Sequence, residues 1–180
     1  MCGITGLLYK NHRTGPVGEI LLRMLDVLGS RGIDGTGVAL YGSPANDALI
    51  LRVKLDASAP IEEQVAGIEN RVDSIATVRQ AMVQADYLRL VVSGNEDVVA
   101  LTEAVERGHR SGPAGGYPDV EVFSVGREME IVKQVGPAQV LRDTYLLSTF
   151  QGTHGIGHTR LATESRVDIS HCHPFWARPY

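Results

Sequence analysis

The sequence predicts an α+β domain, and three observations lead to that prediction. The 180 residues are 43% hydrophobic and 21% charged, the composition of a globular chain that buries a core. Residues 17–28 place apolar side chains at helical spacing, and Gly29 follows as a usual helix stop. Short β-compatible runs bounded by turn residues lie on both sides of this helix.

The remaining elements follow in order along the chain. A strand is predicted at 2–9, before the helix, and strands at 38–41 and 48–55 form a hairpin across a turn-rich segment. Apolar residues from Ile61 to Met82 alternate at spacings of four and three, which predicts one long helix of about 24 residues. The last predicted elements are a strand at 87–93, a helix at 96–107, a hairpin of 120–125 with 130–135, and a helix at 137–142.

The middle of the chain differs in sequence pattern from its two ends. Residues 58–118 alternate between strand and helix patterns and contain no cluster of reactive side chains. We therefore expect one domain over 2–180 with an inserted α/β subdomain at about 58–118. The insertion is either a scaffold or partner-docking surface, or an independent module that senses a small molecule.

Charge and hydropathy exclude several classes of function. A net charge of -4 gives no basic surface for nucleic acid or for an anionic membrane, so neither partner is expected. The sequence contains no apolar run of the roughly 18 residues that a membrane span needs, and its start does not resemble a signal peptide. Two cysteines do not make a disulfide framework. The expected location is the cytoplasm.

Cys2 is the first candidate for chemistry. It follows the initiator Met, so removal of Met1 would place a free α-amine beside a thiol in one residue. An α-amine titrates near pH 7.7–8.0 and can act as the base for its own nucleophile. The alternative is a small buried hydrophobe at the start of a strand.

Three glycine clusters, at 3–6, 29–37 and 152–157, suggest loops that converge on one site. Arg31 lies in the second cluster, and Arg160 follows the third. Arginine suits two-pronged binding of a carboxylate. The alternatives are a helix-end charge for Arg31 and a surface ion pair for Arg160.

Four motifs together resemble the class II glutamine amidotransferases, which are N-terminal-nucleophile hydrolases. They are Cys2-Gly3-Ile4-x-Gly6, Arg31-Gly32-x-Asp34-x-x-Gly37, Gly157-His158-Thr159-Arg160-x-Ala162-Thr163 and His173-Pro174-Phe175. The motifs keep the family order and span residues 2 to 175. The unusual middle is most similar to glutamate-synthase-type subunits, including the N-methylglutamate synthase small subunit.

The resemblance implies an αββα sandwich of two stacked antiparallel sheets between helical layers. It implies hydrolysis of glutamine to glutamate and ammonia, without a cofactor, for a synthase partner on a separate polypeptide. Cys2 then resembles the nucleophile, Arg160 the residue that grips the glutamine α-carboxylate, and Thr163 its neighbour. Arg31 and His158 resemble residues that support the site.

The chain departs from the family pattern after Phe175. Family members continue with an Asn-Gly step that forms the oxyanion hole, whereas none of the four asparagines here precedes a glycine. We therefore expect a chain that is incomplete at its C-terminus and weak or inactive in this form. The alternative function is a catalytically incompetent, amidotransferase-like regulatory or assembly subunit.

A metal site is the remaining alternative. His154 and His158 are four residues apart, and His171, Cys172 and His173 are adjacent. A strand or glycine-rich turn does not bring such residues to one side as a helix does, so no metal is expected.

Overall fold

The computed structural model describes residues 1–11, 13–107, 120–163 and 166–177. Its helices are α1 (Val17–Leu28), α2 (Ile61–Asp73), α3 (Val98–Glu106) and α4 (Ala138–Tyr145). Its strands are β1 (Gly3–Leu8), β2 (Gly35–Tyr41), β3 (Leu49–Lys54), β4 (Thr77–Gln84), β5 (Tyr87–Ser93), β6 (Glu121–Gly126), β7 (Met129–Val135) and β8 (His154–Arg160).

The chain divides into two compact units. The first contains residues 1–44 and 128–175, and the second contains the described residues of 45–127 with Trp176 and Ala177. The second unit is built around its own apolar core. The extent of the insertion predicted at 58–118 stays a prediction.

In the first unit, a sheet with the order β1-β8-β2-β7 carries helices on one face. All of its pairings are antiparallel. Val17, Leu21 and Leu25 of α1 are fully buried. The absence of a side chain at Gly157 lets Leu25 approach β8, since a Cβ there would come within 2.8 Å of Leu25 Cδ1. Hydrophobic burial of this helix face therefore sets the position of β8.

The edge strand β1 leaves apolar side chains uncovered. Ile4 is 77% exposed and Leu8 is 68% exposed, and β1 has β8 as its one partner among the described strands. The sequence of β1 also lacks charged residues and proline, the usual protections of an edge strand.

In the second unit, a sheet with the order β4-β5-β3-β6 is covered by α2 and α3. Helix residues Ile68, Val72 and Leu101 join strand residues such as Leu51 and Leu90 in one core, and all five side chains are at most 1% exposed. Trp176 packs against this core. No helix in the described part of the chain is long and apolar enough to span a membrane.

The predicted fold class is confirmed. Within the described residues the structure is α+β, with four helices and two antiparallel sheets of four strands, one sheet in each compact unit.

The prediction of one long helix from residue 61 was wrong. The helix ends at Asp73, and residues 77–84 form β4, which pairs with β5 across the tight turn at Ala85 and Asp86. Asp73 also accepts a hydrogen bond from the Val78 N–H, which helps to end the helix. Pairing with β5 satisfies the backbone of this segment and overrides its helical spacing.

The two predicted hairpins were also wrong. Strand β2 pairs with β7 in one sheet and β3 pairs with β6 in the other, so 38–41 does not pair with 48–55, and 120–125 does not pair with 130–135. A turn-rich segment between two strands predicts a change of direction but does not choose the pairing partner.

Candidate active site

The N-terminal cysteine lies beside the segment that follows β8. Gly3 is opposite Thr159 in the β1–β8 ladder, so Cys2 is adjacent to the end of that strand. The Cys2 Sγ points to the Leu161 carbonyl oxygen at 3.9 Å, and the thiol is exposed. The segment predicted as a glycine-rich turn is the regular strand β8 up to Arg160. Cys2 is therefore accessible, at the edge of the sheet.

The second motif holds the end of the third motif. A Cβ on Gly32 would lie 2.4 Å from the Arg160 carbonyl carbon, so only glycine allows this approach. The Asp34 N–H donates to the Arg160 carbonyl oxygen at 3.0 Å, and the Asp34 carboxylate accepts from the Ala162 N–H at 2.7 Å. Asp34 belongs to the second motif, but the sequence alone assigned it no role.

Arg160 is buried and hydrogen-bonded to backbone. It is 4% exposed, and its Nη1 and Nη2 donate to the carbonyl oxygens of Asp168 and Arg166, each at 2.9 Å. Two oxygens therefore face the guanidinium, as the two oxygens of a carboxylate do in a two-pronged ion pair. The buried guanidinium is thus held at the end of β8 by these backbone oxygens.

Two of the predicted site residues lie on the surface. Arg31 ends the short 3₁₀ turn Gly29–Arg31, and Thr163 lies three residues after β8; both side chains are exposed. Among the residues that the structure describes, no hydrogen bond or ion pair of either side chain is found. In this structure the two side chains are not brought onto Cys2 by a polar contact.

His158 belongs to a cluster with the buried Cys172 and the exposed His173. It is 5% exposed, its Nδ1 lies 3.6 Å from the Cys172 Sγ, and its ring meets the His173 ring edge to face at 5.0 Å. Burial, together with the positive charges of His173, Arg160 and Lys133, lowers the pKa of His158 to about 4. His158 is therefore neutral at pH 7.

Burial also raises the pKa of the Cys172 thiol to about 11. A protonated thiol beside a neutral imidazole is a packed, hydrogen-bonded pair and lacks the thiolate of a reactive cysteine. The fourth motif begins at His173, which packs closely against β2. A Cβ on Gly37 would lie 2.1 Å from the His173 carbonyl oxygen, so glycine permits this approach. The four motifs thus meet in one unit, with Cys2 at its surface and His158 inside.

An apolar pocket of about 300 Å³ opens on the same unit. Its lining includes Ile4, Ile156, His158, His173, Pro174 and Phe175. Ile4 is two residues after Cys2, the spacing at which strand residues share a face. The pocket therefore provides apolar surface close to the exposed thiol.

The histidines that suggested a metal site are engaged separately. His154 stacks on Tyr41 with ring centroids 3.9 Å apart, and His171 pairs with Asp168 at 2.7 Å. Within the described residues, no group of three or more His, Cys, Asp or Glu side chains is arranged to hold a metal ion.

Comparison with known proteins gives relatives over nearly the whole chain, although no family model matches. The chain is 35% identical over 176 residues to the glutamine amidotransferase-like protein GlxB of Rhizobium meliloti, which covers 97% of this chain and 54% of that protein. It is 31% identical over 193 residues to a protein of Methanothermobacter thermautotrophicus named "Putative glutamine amidotransferase", covering 97% of this chain and 56% of the relative.

The chain spans about half the length of these curated relatives. The four motifs in one folded unit and the similarity along 97% of the chain agree with each other. Together, these similarities relate the chain to two proteins that are named for glutamine amidotransfer.

Proposed function

We propose that the chain carries the glutaminase site of a class II, N-terminal-nucleophile amidotransferase. The observation that supports this most is the exposed Cys2 at the start of β1, preceded by a Met1 that is itself 81% exposed. Removal of Met1 leaves an accessible amine beside an accessible thiol. Similarity to two proteins named for glutamine amidotransfer supports the substrate.

In the proposed reaction, the Cys2 amine takes the thiol proton and the sulfur attacks the carboxamide carbon of glutamine. The carbon–nitrogen bond breaks, and the departing nitrogen takes the proton and leaves as ammonia. Water then attacks the thioester, which releases glutamate and restores the thiol. The products are one glutamate and one ammonia for each glutamine and water consumed.

Arg160 and Thr163 are the proposed substrate-binding residues. The Arg160 guanidinium already lies between two backbone oxygens, of Arg166 and Asp168, so a glutamine α-carboxylate would take the place of one or both. A carboxylate forms stronger, charge-assisted bonds than a neutral carbonyl, which favours this exchange. Arg31 and His158 are proposed as supports of the site.

The fate of the ammonia is also part of the proposal. We propose that it passes to a synthase subunit on a separate polypeptide, as in glutamate-synthase-type enzymes, and that the protein acts in the cytoplasm. The resemblance of the motifs and of the middle segment supports this assignment.

One experiment tests the glutaminase proposal directly. Glutamate release from glutamine is measured for the wild-type chain, for Cys2→Ser and for the matched control Cys172→Ser. We expect loss of turnover in Cys2→Ser and retained turnover in Cys172→Ser, because Cys172 is a buried, protonated thiol. Measurable turnover that is equal in the wild type and in Cys2→Ser would refute Cys2 as the nucleophile.

A second candidate is a regulatory or assembly subunit that has lost catalysis. It is favoured by the engagement of Arg160 with backbone carbonyls and by the lack of an Asn-Gly step in the sequence. A wild-type chain that binds glutamine but releases no glutamate, also in the presence of its partner subunits, would support this candidate.

A further inference from the structure

Asp34 joins three segments of the first unit. Its carboxylate accepts from the Ala162 N–H at 2.7 Å, and its own N–H donates to the Arg160 carbonyl oxygen at 3.0 Å. Its carbonyl oxygen accepts from the Gly136 N–H at 3.1 Å. Asp34 thus links the start of β2, Gly136 directly after β7, and the segment after β8.

The carboxylate contact lies where regular strand pairing stops. The β2–β8 ladder ends at the pair Gly35 and Arg160, so the Ala162 N–H has no place in it. An aspartate oxygen accepts that N–H instead. Hydrogen bonds to a charged group are worth about twice as much as neutral ones, so this contact fixes the segment firmly.

The fixed segment is the one that faces the nucleophile. Leu161, one residue before Ala162, presents the carbonyl oxygen to which the Cys2 Sγ points. Thr163, one residue after, is a proposed substrate-binding residue. A movement of Ala162 would therefore shift both neighbours relative to Cys2.

We infer that Asp34 is a positioning residue, which holds residues 161–163 in register with Cys2 for binding of glutamine. This inference rests on the proposed glutaminase function. Asp34 acts through the backbone of Ala162 and takes no part in proton transfer, so its removal weakens substrate binding more than it weakens the intrinsic reactivity of the thiol.

The test uses 6-diazo-5-oxo-L-norleucine, a glutamine analogue that alkylates a thiol within a glutamine site. The concentration for half-maximal labelling of Cys2 (KI) and the maximal labelling rate (kinact) are measured by mass spectrometry. Asp34→Ala is expected to raise KI by about tenfold to a hundredfold, from the loss of a charge-assisted bond. Asp34→Asn keeps a neutral acceptor and is expected to raise KI about fivefold.

Asp26→Asn is the matched control, since Asp26 lies on α1 and pairs with Arg142. Its KI should equal that of the wild type. Amide hydrogen exchange adds a readout that does not depend on substrate. Exchange at Ala162 should accelerate at least about tenfold in Asp34→Ala and less in Asp34→Asn, and it should not change in the control.

The outcomes separate the two proposals. Labelling of the wild type with an unchanged KI in Asp34→Ala, or unchanged exchange at Ala162, overturns the role of Asp34 alone. Absence of saturable, glutamine-protected labelling in the wild type overturns the glutaminase proposal and this inference with it. If Asp34→Ala does not fold, Asp34→Asn decides, and a KI equal to that of the wild type contradicts the inference.

Discussion

The neutral, buried His158 makes the stability of the first unit depend on pH. The folded pKa is lowered to about 4, below the ordinary value of 6.5, chiefly by burial. Between these two values the unfolded chain binds a proton that the folded chain does not. The free energy of unfolding therefore falls as the pH decreases from 6.5 toward 4, and the stabilisation is complete above pH 6.5.

The magnitude follows from the same shift. When the pH falls from about 7.5 to about 5.5, the unfolded chain takes up about one proton that the folded chain does not bind. Linkage then lowers the free energy of unfolding by up to about 1.4 kcal/mol. His173 beside it is exposed, so water screens part of this effect, and we expect about 1 kcal/mol. Asp168 does not contribute in this range, because hydrogen bonds from His171 and Ser170 lower its pKa to about 2.

Urea denaturation of the wild type and of His158→Gln at the two pH values measures this effect. The comparison concerns the change between pH values, so a lower overall stability of the variant does not matter. The wild type should lose about 1 kcal/mol more than the variant on acidification. Equal losses would show that His158 is solvated and titrates normally, which would refute its burial.

Three other predictions concern the site, the packing and the edge strand. Arg160→Lys should raise the glutamine KM about tenfold to a hundredfold in glutamate-release assays, because an ammonium cannot form the two-pronged contact; an unchanged KM would leave Arg160 only a structural role. Gly37→Ala should lower the free energy of unfolding by about 1–3 kcal/mol in urea, since its Cβ would meet the His173 carbonyl. The control Gly29→Ala has open space and should be neutral or slightly stabilising, so equal effects would contradict the packing. Leu8→Lys should reduce concentration-dependent self-association in size-exclusion chromatography, and a wild type that stays monomeric would refute that expectation.

The helix at 17–28 and the strand at 87–93 were predicted with the bounds that the structure has. Residues 17–28 carry a helical pattern long enough to exclude a strand, whereas 87–93 is a short apolar run bounded by turn residues, which is typical of a strand. Residues 77–84 were predicted to be helical because their apolar residues have helical spacing, but this segment pairs with β5. Pairing between strands is a tertiary contact, and local spacing does not contain it.

The contacts of the candidate site were likewise predicted only in part from the sequence. The glycine clusters predicted that distant segments meet, and the close approach of Gly32 to Arg160 is such a meeting. The contact of Asp34 with Ala162 could not be read from the sequence, because it joins residues 128 positions apart. The backbone partners of Arg160 were also not foreseen, since a loop carbonyl leaves no signature in residue types.

In the proposed reaction the Cys2 amine and thiol act together. Two preparations of the same chain test it: one matured normally, and one made in cells whose methionine aminopeptidase is inhibited, which retains Met1. Intact-mass spectrometry identifies each form, and glutamate release from glutamine is then compared. The account predicts turnover only in the form that lacks Met1. Measurable turnover by the form that retains Met1, equal to that of the matured form, would contradict the joint role of the amine and the thiol.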